Sequence, residues 1–371
     1  MSSAPPRSFR TFVLKIHARC DLACDYCYVY QAADQSWRSR PRMMSVAVAR
    51  QVMTRIVEHA TIHGLSSVDV TLHGGEPLLC GIGHLRDLLS VIRSADSRVR
   101  LSIQTNAMLL DEAYLDLFDE TGVNVGVSLD GGAEQHNLNR RSHAGLGTYR
   151  RVAHAVRTLA ARPGRFGGLL CTIDLRNDPI AVFDELVSYR PPIIDFLLPH
   201  GTWDTPPPGR TEHGQATPYA DWLIPVFDQW FDAAHRPTAV RLFDAIIDLL
   251  LGGQAGTEGV GPLPSPVVVV ETDGTIERTD ALKVAYDGAA ATGLHVGTAS
   301  FDDAAAAMGP PAPASQCVAC PLYRVCGGGH PAHRYRSGSG FVNRSVYCPD
   351  LYRLITHISG KVTTGLALMR A

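Results

Sequence analysis

The sequence predicts an α/β protein built on a parallel sheet, either open or curled into a barrel. Three observations carry that expectation. Short apolar, β-branched runs alternate with helix-like stretches through the first two-thirds of the 371 residues, which is the pattern of strand–helix–strand units. Hydrophobic residues make up 45% of the chain and charged residues 19%, which is globular rather than disordered and ample for a sizeable core. Polar side chains fall at the C-terminal ends of successive strand candidates, the edge where parallel α/β folds bind ligands.

Strands are expected at Phe12–Ala18, Val68–His73, Val99–Thr105, Val123–Leu129, Gly168–Leu175 and Ile193–Pro199. Each is short and apolar, as strands buried on both faces are. Helical patterns lie between them at Ser45–His63, His84–Ser94, Asp111–Thr121, Tyr149–Ala161 and Pro179–Tyr189, and a helical pair follows at Pro218–Ala234 and Val240–Leu251. The character then changes. Gly252–Pro266 reads as a linker rich in Gly and Pro. Val267–Glu271 and Ile276–Arg278 flank Thr272-Asp273-Gly274-Thr275 and read as a hairpin with Asp-Gly at its turn. A Pro/Ala-rich stretch follows at Gly309–Ser315, and Leu351–Ile358 starts a closing helix. Two domains are expected, 1–252 and 253–371.

The formal net charge of -2 argues against a nucleic-acid partner, for which a basic excess is expected. No run approaches the roughly 20 apolar residues of a membrane span, so no membrane partner is expected. Met1–Arg10 has no signal-peptide apolar stretch, which points to a cytoplasmic location.

The nine cysteines are the strongest functional signal. An odd number without an export signal does not suggest a disulfide framework. Cys20, Cys24 and Cys27 form C-x3-C-x2-C directly after the first strand. Cys317, Cys320 and Cys326 form C-x2-C-x5-C, and Cys348 follows after a gap. Cys80 and Cys171 stand alone and read as small buried hydrophobes. Clustered thiolates at short spacing mean zinc or an iron–sulfur centre. Structural zinc wants four closed ligands, whereas three thiolates on a four-iron cluster leave one iron open to bind and activate something. Beside that loop, the second strand ends in His73-Gly74-Gly75-Glu76-Pro77, the third in Gln104-Thr105-Asn106 and the fourth in Ser128-Leu129-Asp130-Gly131. Paired glycines let backbone approach a ligand closely, and each strand brings hydrogen-bonding groups to one rim.

The Cys20–Cys27 loop, with aromatic Tyr28 after its last cysteine, resembles the radical S-adenosylmethionine (SAM) superfamily. The resemblance implies a partial (β/α)6 barrel in which Cys20, Cys24 and Cys27 ligate a 4Fe–4S cluster whose open iron chelates SAM. Gly74, Gly75, Glu76 and Pro77 resemble the motif that meets the SAM amino group. Gln104, Asn106 and Ser128 match positions near its ribose or methionine parts. Arg140 or Arg141 would pair with its carboxylate, or lie at the surface. The group at Cys317, Cys320, Cys326 and Cys348 resembles the SPASM iron–sulfur extension of peptide-modifying members and implies one auxiliary 4Fe–4S cluster. A four-thiolate zinc site is the alternative. A second auxiliary cluster is doubtful, because the hairpin lacks the cysteines that such a cluster takes and His330 replaces another. Glu271, Asp280 or His330 would then be unusual ligands.

Further segments are similar to FxsB-type maturases, whose relatives are cyclophane synthases. They are Cys27-Tyr28-Val29-Tyr30, Asp34–Arg38, Arg40–Ser45, Arg140–Tyr149, Glu271–Gly274 and His333–Arg336. The resemblance implies modification of a ribosomally made precursor peptide, with an aromatic ring carbon joined to the β-carbon of a nearby residue. A 5′-deoxyadenosyl radical would remove the β-hydrogen, and the ring would then lose a proton and an electron. Asp280 matches a catalytic Asp of sulfatase-maturing relatives and is the candidate base, or else an ordinary hairpin-end residue. An external flavodoxin- or ferredoxin-like electron donor is implied. Trp37–Arg42 is either a surface that greets an acidic leader or the peptide carboxylate or a solvated loop, and the Pro-rich Gly201–Arg210 is either a cover for the barrel mouth or a mobile loop. The rival readings are another radical SAM peptide reaction (formylglycine-type oxidation, thioether formation or epimerisation) and a zinc-stabilised or ferredoxin-like electron-transfer protein.

Overall fold

Side-chain caps set where the helices begin. Ser45, Asp111 and Asp178 accept hydrogen bonds from the backbone N–H groups of Val48, Tyr114 and Ala181 and open the helices Val46–Ile62, Glu112–Thr121 and Pro179–Ser188. Gly122, at φ 67°, closes the second of these. The computed structural model describes residues 8–162, 164–211, 214–254, 257–262, 267–309 and 313–370. Parts of the expected linker Gly252–Pro266 and of Gly309–Ser315 lie outside the described residues.

The strands are β1 Thr11–His17, β2 Val68–Gly74, β3 Val99–Thr105, β4 Asn124–Ser128, β5 Phe166–Thr172, β6 Ile193–Leu197, β7 Ala239–Val240, β8 Val267–Val270, β9 Thr275–Glu277 and β10 Ala291–His295. Two compact, interleaved units result. The first is drawn from Met1–Ser128, Asn137–Gly167 and Pro266–Gly309, and the second from Leu129–His136, Gly168–Ser265 and Pro310–Ala371.

In the first unit the strand order is β10-β9-β8-β1-β2-β3-β4. Strands β1 to β4 are parallel in register, with Lys15 opposite His73 and Thr71 opposite Ser102. The expected hairpin forms, closed by the turn Glu271–Gly274, where Gly274 N–H donates to Glu271 O at 2.9 Å and Gly274 holds φ 94°. Strand β8 then joins β1 in parallel, which no local pattern foretold.

Not every strand is enclosed on both faces: β1 is buried without a break over Leu14–His17, as expected, whereas β2 alternates. Along β2, Val68, Val70 and Leu72 are buried while Asp69, Thr71 and His73 are only half-buried. Helices cover one face, including the stripe Ala49, Val52, Met53, Ile56 and Ala60 of Val46–Ile62. The other face carries polar pairs, Thr71 Oγ1 to Ser102 Oγ and Gln104 Nε2 to Ser128 Oγ, each at 3.0 Å.

In the second unit β5, β6 and β7 run parallel in that order. The helices Pro218–Phe231 and Arg241–Leu250 pack through Phe227, Trp230 and Phe243. The closing helix runs Cys348–Arg370, starting earlier than the expected Leu351. Its Asp350 accepts from the N–H groups of Tyr219 (2.9 Å) and Ala220 (3.1 Å) and so caps Pro218–Phe231. The elements missed include β7, β10 and the helices Ala133–Asn139, Phe301–Ala307, Ser315–Val318 and Tyr323–Cys326; a Ser300/Asp303 capping box announces Phe301–Ala307.

Candidate metal centres

The Cys20–Cys27 loop leaves the C-terminal end of β1 and is held at several points. Ala18 and Met44 N–H groups donate to Arg42 O and Ile16 O, tying the strand end to the following segment. Tyr30 hydroxyl donates to Ala18 O at 3.2 Å. Leu22 N–H points at Cys20 Sγ at 3.4 Å. Cys24 is buried, and Cys20 and Cys27 are half-buried. Residues 140–143 run alongside. Ala23 N–H donates to Arg141 O at 2.8 Å, and His143 Nε2 lies 3.0 Å from Cys20 O.

Gly74 and Gly75 have a structural reason of their own. A Cβ on Gly74 would meet His17 O, and one on Gly75 would meet the Tyr30 hydroxyl and lie 2.5 Å from Arg19 O. The close approach they permit is to the chain's own cysteine loop, whose backbone receives Gly75 N–H (to His17 O, 2.9 Å) and Glu76 N–H (to Arg19 O, 3.0 Å).

Glu76 is fully enclosed. It accepts from Leu78 N–H (3.0 Å), Thr105 Oγ1 (2.7 Å) and Asn106 N–H (2.7 Å), while Pro77 starts the short turn that follows. Burial pushes its carboxyl up to about 7 against those donors. Its side chain thus clamps the ends of β2 and β3 together. Asn106 Nδ2 donates to Asp21 Oδ1 at 2.8 Å and lies 3.7 Å from Cys20 Sγ, which ties the β3 end to the loop. Gln104 and Ser128 bond each other on the open face. Arg140 sits over the Tyr26 ring at 5.6 Å, and Arg141 forms an exposed ion pair with Asp25 at 2.9 Å.

In the second unit, Cys317, Cys320, Cys326 and Cys348 line one cavity of about 120 Å³. Gly327, Gly328 and Gly329 follow Cys326 with φ 62°, 86° and 72°, a left-handed run open to glycine. Mononuclear zinc would draw its sulfurs to about 3.8 Å of one another. Among the described residues, no group of three or more of these thiols has its sulfurs all within 4.8 Å. The donor set is soft and all-thiol, a chemistry that suits an iron–sulfur centre or zinc. Cys80 and Cys171 are singly buried.

The hairpin holds a different kind of site. Glu271, Glu277 and Asp280 are buried and place one oxygen each within 4.8 Å of the others. Lys283 Nζ lies 2.6, 3.0 and 3.5 Å from them, and Lys15 Nζ lies 2.5 Å from Asp280 Oδ2. Arg40 closes the outer side against Asp273, Thr275 and Glu277. Burial alone would raise Asp280, but the ammonium groups of Lys15 and Lys283 outweigh it and hold its carboxyl at about 2. Burial and the neighbouring Glu271 carboxylate push Glu277 up to about 7. Oxygen donors already neutralised by built-in cations do not fit a second auxiliary cluster, which needs thiolates.

His330 is only partly committed: its Nε2 is buried without a hydrogen bond and lies 3.7 Å from Glu258 Oε2. Its Nδ1 accepts from Ala332 N–H at 3.1 Å, and its ring packs with those of His200 and His333. The Trp37–Arg42 stretch is partly open, with Arg38, Ser39, Pro41 and Arg42 exposed. Trp37 lies between the guanidinium groups of Arg19 and Arg38, and Arg40 turns into the hairpin. The Gly201–Arg210 loop is pinned. Trp203 Nε1 donates to Arg344 O at 2.7 Å, and Arg210 is buried with Nε on Val346 O at 3.0 Å. Lys15, Asp21 and Lys283 were missed as site residues. A lone lysine in the apolar strand Phe12–His17 was the available signal, since a buried ammonium requires a partner.

Residues 14–173 match the Radical SAM superfamily. A cysteine-type anaerobic sulfatase-maturating enzyme of Clostridium perfringens is 26% identical over 70% of this chain and 71% of its own. A serine-type counterpart of Klebsiella aerogenes is 26% identical over 96% and 87%. Among solved structures, native anSMEcpe with bound AdoMet aligns at TM-score 0.81, 20% identity, and 95% and 98% coverage. Streptococcus suis SuiB bound to precursor peptide SuiA aligns at TM-score 0.61, 15% identity, and 92% and 76% coverage. The chain therefore has the α/β radical SAM fold with its parallel sheet, and it is an enzyme with a radical SAM domain. No helix among the described residues is long and apolar enough to cross a membrane.

Proposed function

We propose that this chain is a radical SAM maturase of a ribosomally synthesised precursor peptide, and that it closes a cyclophane by joining an aromatic ring carbon to the β-carbon of a nearby residue. The observation that carries the reading is the pairing, in one chain, of a three-thiol loop at the rim of a parallel sheet with a separate four-thiol cavity. Cys20, Cys24 and Cys27 would hold a 4Fe–4S cluster with an iron left for SAM. Cys317, Cys320, Cys326 and Cys348 would hold a single auxiliary cluster. Together the first cluster and SAM supply, when bound, a carbon-centred radical able to remove hydrogen from an unactivated C–H bond.

The residues of the chain position and protect. Glu76 and Asn106 fix the cysteine loop against the ends of β2 and β3. Gly74, Gly75 and Pro77 shape the backbone there, and Gln104, Ser128, Arg140 and Arg141 are the further groups assigned to SAM. Ring closure removes two hydrogens from the peptide: one leaves as a hydrogen atom to the adenosyl radical, and the other leaves the ring as a proton together with an electron, for which an auxiliary 4Fe–4S cluster at Cys317, Cys320, Cys326 and Cys348 would be the acceptor. Asp280 is assigned as the proton acceptor on its match to the catalytic Asp of sulfatase-maturing relatives; its pairing with Lys15 keeps it ionised and also makes it a weaker base than a free carboxylate. An external flavodoxin- or ferredoxin-like donor supplies electrons. The division of labour is 1–252 for radical generation and 253–371 for the auxiliary centre.

The sulfatase-maturating relatives support a second reading, oxidation of a Cys or Ser side chain to formylglycine. Co-expression with the peptide encoded by the neighbouring short reading frame separates the two. Cyclophane closure is expected to remove two hydrogens and to leave a product whose fragmentation places a carbon–carbon bond between two residues. A product bearing an aldehyde and no cross-link overturns it in favour of the second reading.

A further inference from the structure

Arg334 is a buried guanidinium with no carboxylate in ion-pair reach among the described residues. Its hydrogen bonds go only to backbone carbonyls. Nε donates to Gly328 O and Gly329 O at 3.1 Å, and Nη2 donates to Gly327 O at 2.9 Å and Gly329 O at 2.6 Å. Carbonyl dipoles offset part of the cost of burying a cation, but an uncompensated charge in a low-dielectric site still calls for a counter-charge. The counter-charge is close at hand. A Cβ built on Gly328 would lie 3.3 Å from Arg334 Cζ and 3.5 Å from Cys317 Sγ, so the guanidinium carbon and that sulfur share the open space over Gly328 and lie within about 7 Å of each other. Arg334 thus holds the left-handed glycine run that follows Cys326 by all three of its carbonyls.

We propose that Arg334 is the internal counter-cation of the four-thiolate site, balancing the charge of Cys317, Cys320, Cys326 and Cys348 and thereby raising the reduction potential of the centre they hold. The proposal rests on the reading that these four cysteines hold an auxiliary 4Fe–4S cluster. Reduction adds one negative charge to such a site, and a nearby buried cation stabilises the reduced form more than the oxidised one. Arg344 also borders the cavity, but it is exposed and solvent screens it. Arg334 acts through the thiolates and is a positioning residue, not a catalytic one.

The test uses the full chain with Cys20, Cys24 and Cys27 changed to alanine, so that only the second site can be loaded. It is reconstituted anaerobically with iron and sulfide, and carries Arg334 unchanged, Arg334→Lys or Arg334→Gln. Iron content and an EPR-monitored redox titration are measured on each. We expect about four iron per chain in all three, a clearly more negative potential for Arg334→Gln, and a potential near the parent's for Arg334→Lys. Equal potentials in all three overturn the proposal. So does an equal shift in both variants, which would trace to loop geometry rather than charge. If neither variant takes up iron while the parent does, Arg334 is only a pin for the glycine loop and the proposal fails. A parent that holds no iron, or holds zinc instead, fails at the earlier step and removes the auxiliary-cluster reading itself.

Discussion

Lys15 and Asp280 form a buried ion pair, Nζ to Oδ2 at 2.5 Å, that joins the first strand to the segment after the hairpin. Each charge depends on the other, since a lone ammonium or carboxylate in that place would be uncompensated. Lys15→Met is therefore expected to cost about 3 kcal/mol of stability, the low end for breaking a buried pair because Lys283 remains at 3.5 Å from Asp280. Urea unfolding measures it. The double variant Lys15→Met/Asp280→Leu is expected to recover much of the loss. Asp280→Asn is expected to abolish cross-linked peptide, and undiminished product would remove Asp280 as the proton acceptor.

The same cluster sets a pH dependence with two limbs. Asp280 is held down at about 2 in the folded state. Its contribution, on the order of 2 kcal/mol, is present above the unfolded carboxyl value near 4 and is lost as pH falls toward 2. Glu277 is held up at about 7. The folded chain binds its proton more tightly, so stability falls by on the order of 3 kcal/mol as pH rises from about 4.5 to 7. Glu277→Gln is expected to flatten the second limb alone. Unfolding free energies at pH 3, 5 and 8 would show whether it does.

Gly75→Ala tests the seat of the cysteine loop. The new methyl group has no room between the Tyr30 hydroxyl and Arg19 O. Anaerobic reconstitution should then load only the second site, giving about four iron per chain instead of about eight. SAM cleavage to 5′-deoxyadenosine should fall at least tenfold. Full iron loading would show that the glycine pair is not what holds the loop.

Changing Cys317, Cys320, Cys326 and Cys348 to alanine together should remove about four iron per chain and leave the first site. SAM cleavage without peptide is expected to persist while peptide product is lost. Iron and zinc assays on the same samples decide the metal, and a loss of zinc rather than iron would contradict the polynuclear reading.

Much of this protein was legible in its sequence. Apolar runs broken by helical periodicity marked the strands, because a buried strand and an amphipathic helix cannot share one pattern. The helix starts at Ser45, Asp111 and Asp178 were readable because capping is a local hydrogen bond. The cysteine spacings identified both thiol groups, since metal-ligand spacing is a short-range property. What pairs across long stretches of chain was decided only in three dimensions. Strand β8 lies beside β1, some 250 residues away by sequence, and that placement sets Lys283, Glu271 and Asp280 around Lys15. The glycine pair at 74–75 looked like a ligand cradle but is required first by the His17–Arg19 backbone. Arg40 looked like a surface charge but is drawn in by Asp273 and Glu277. Charge compensation in a buried place depends on which groups the fold brings together. No local window of sequence records that, so the grouping of the cysteines could be read in advance and the charges around them could not.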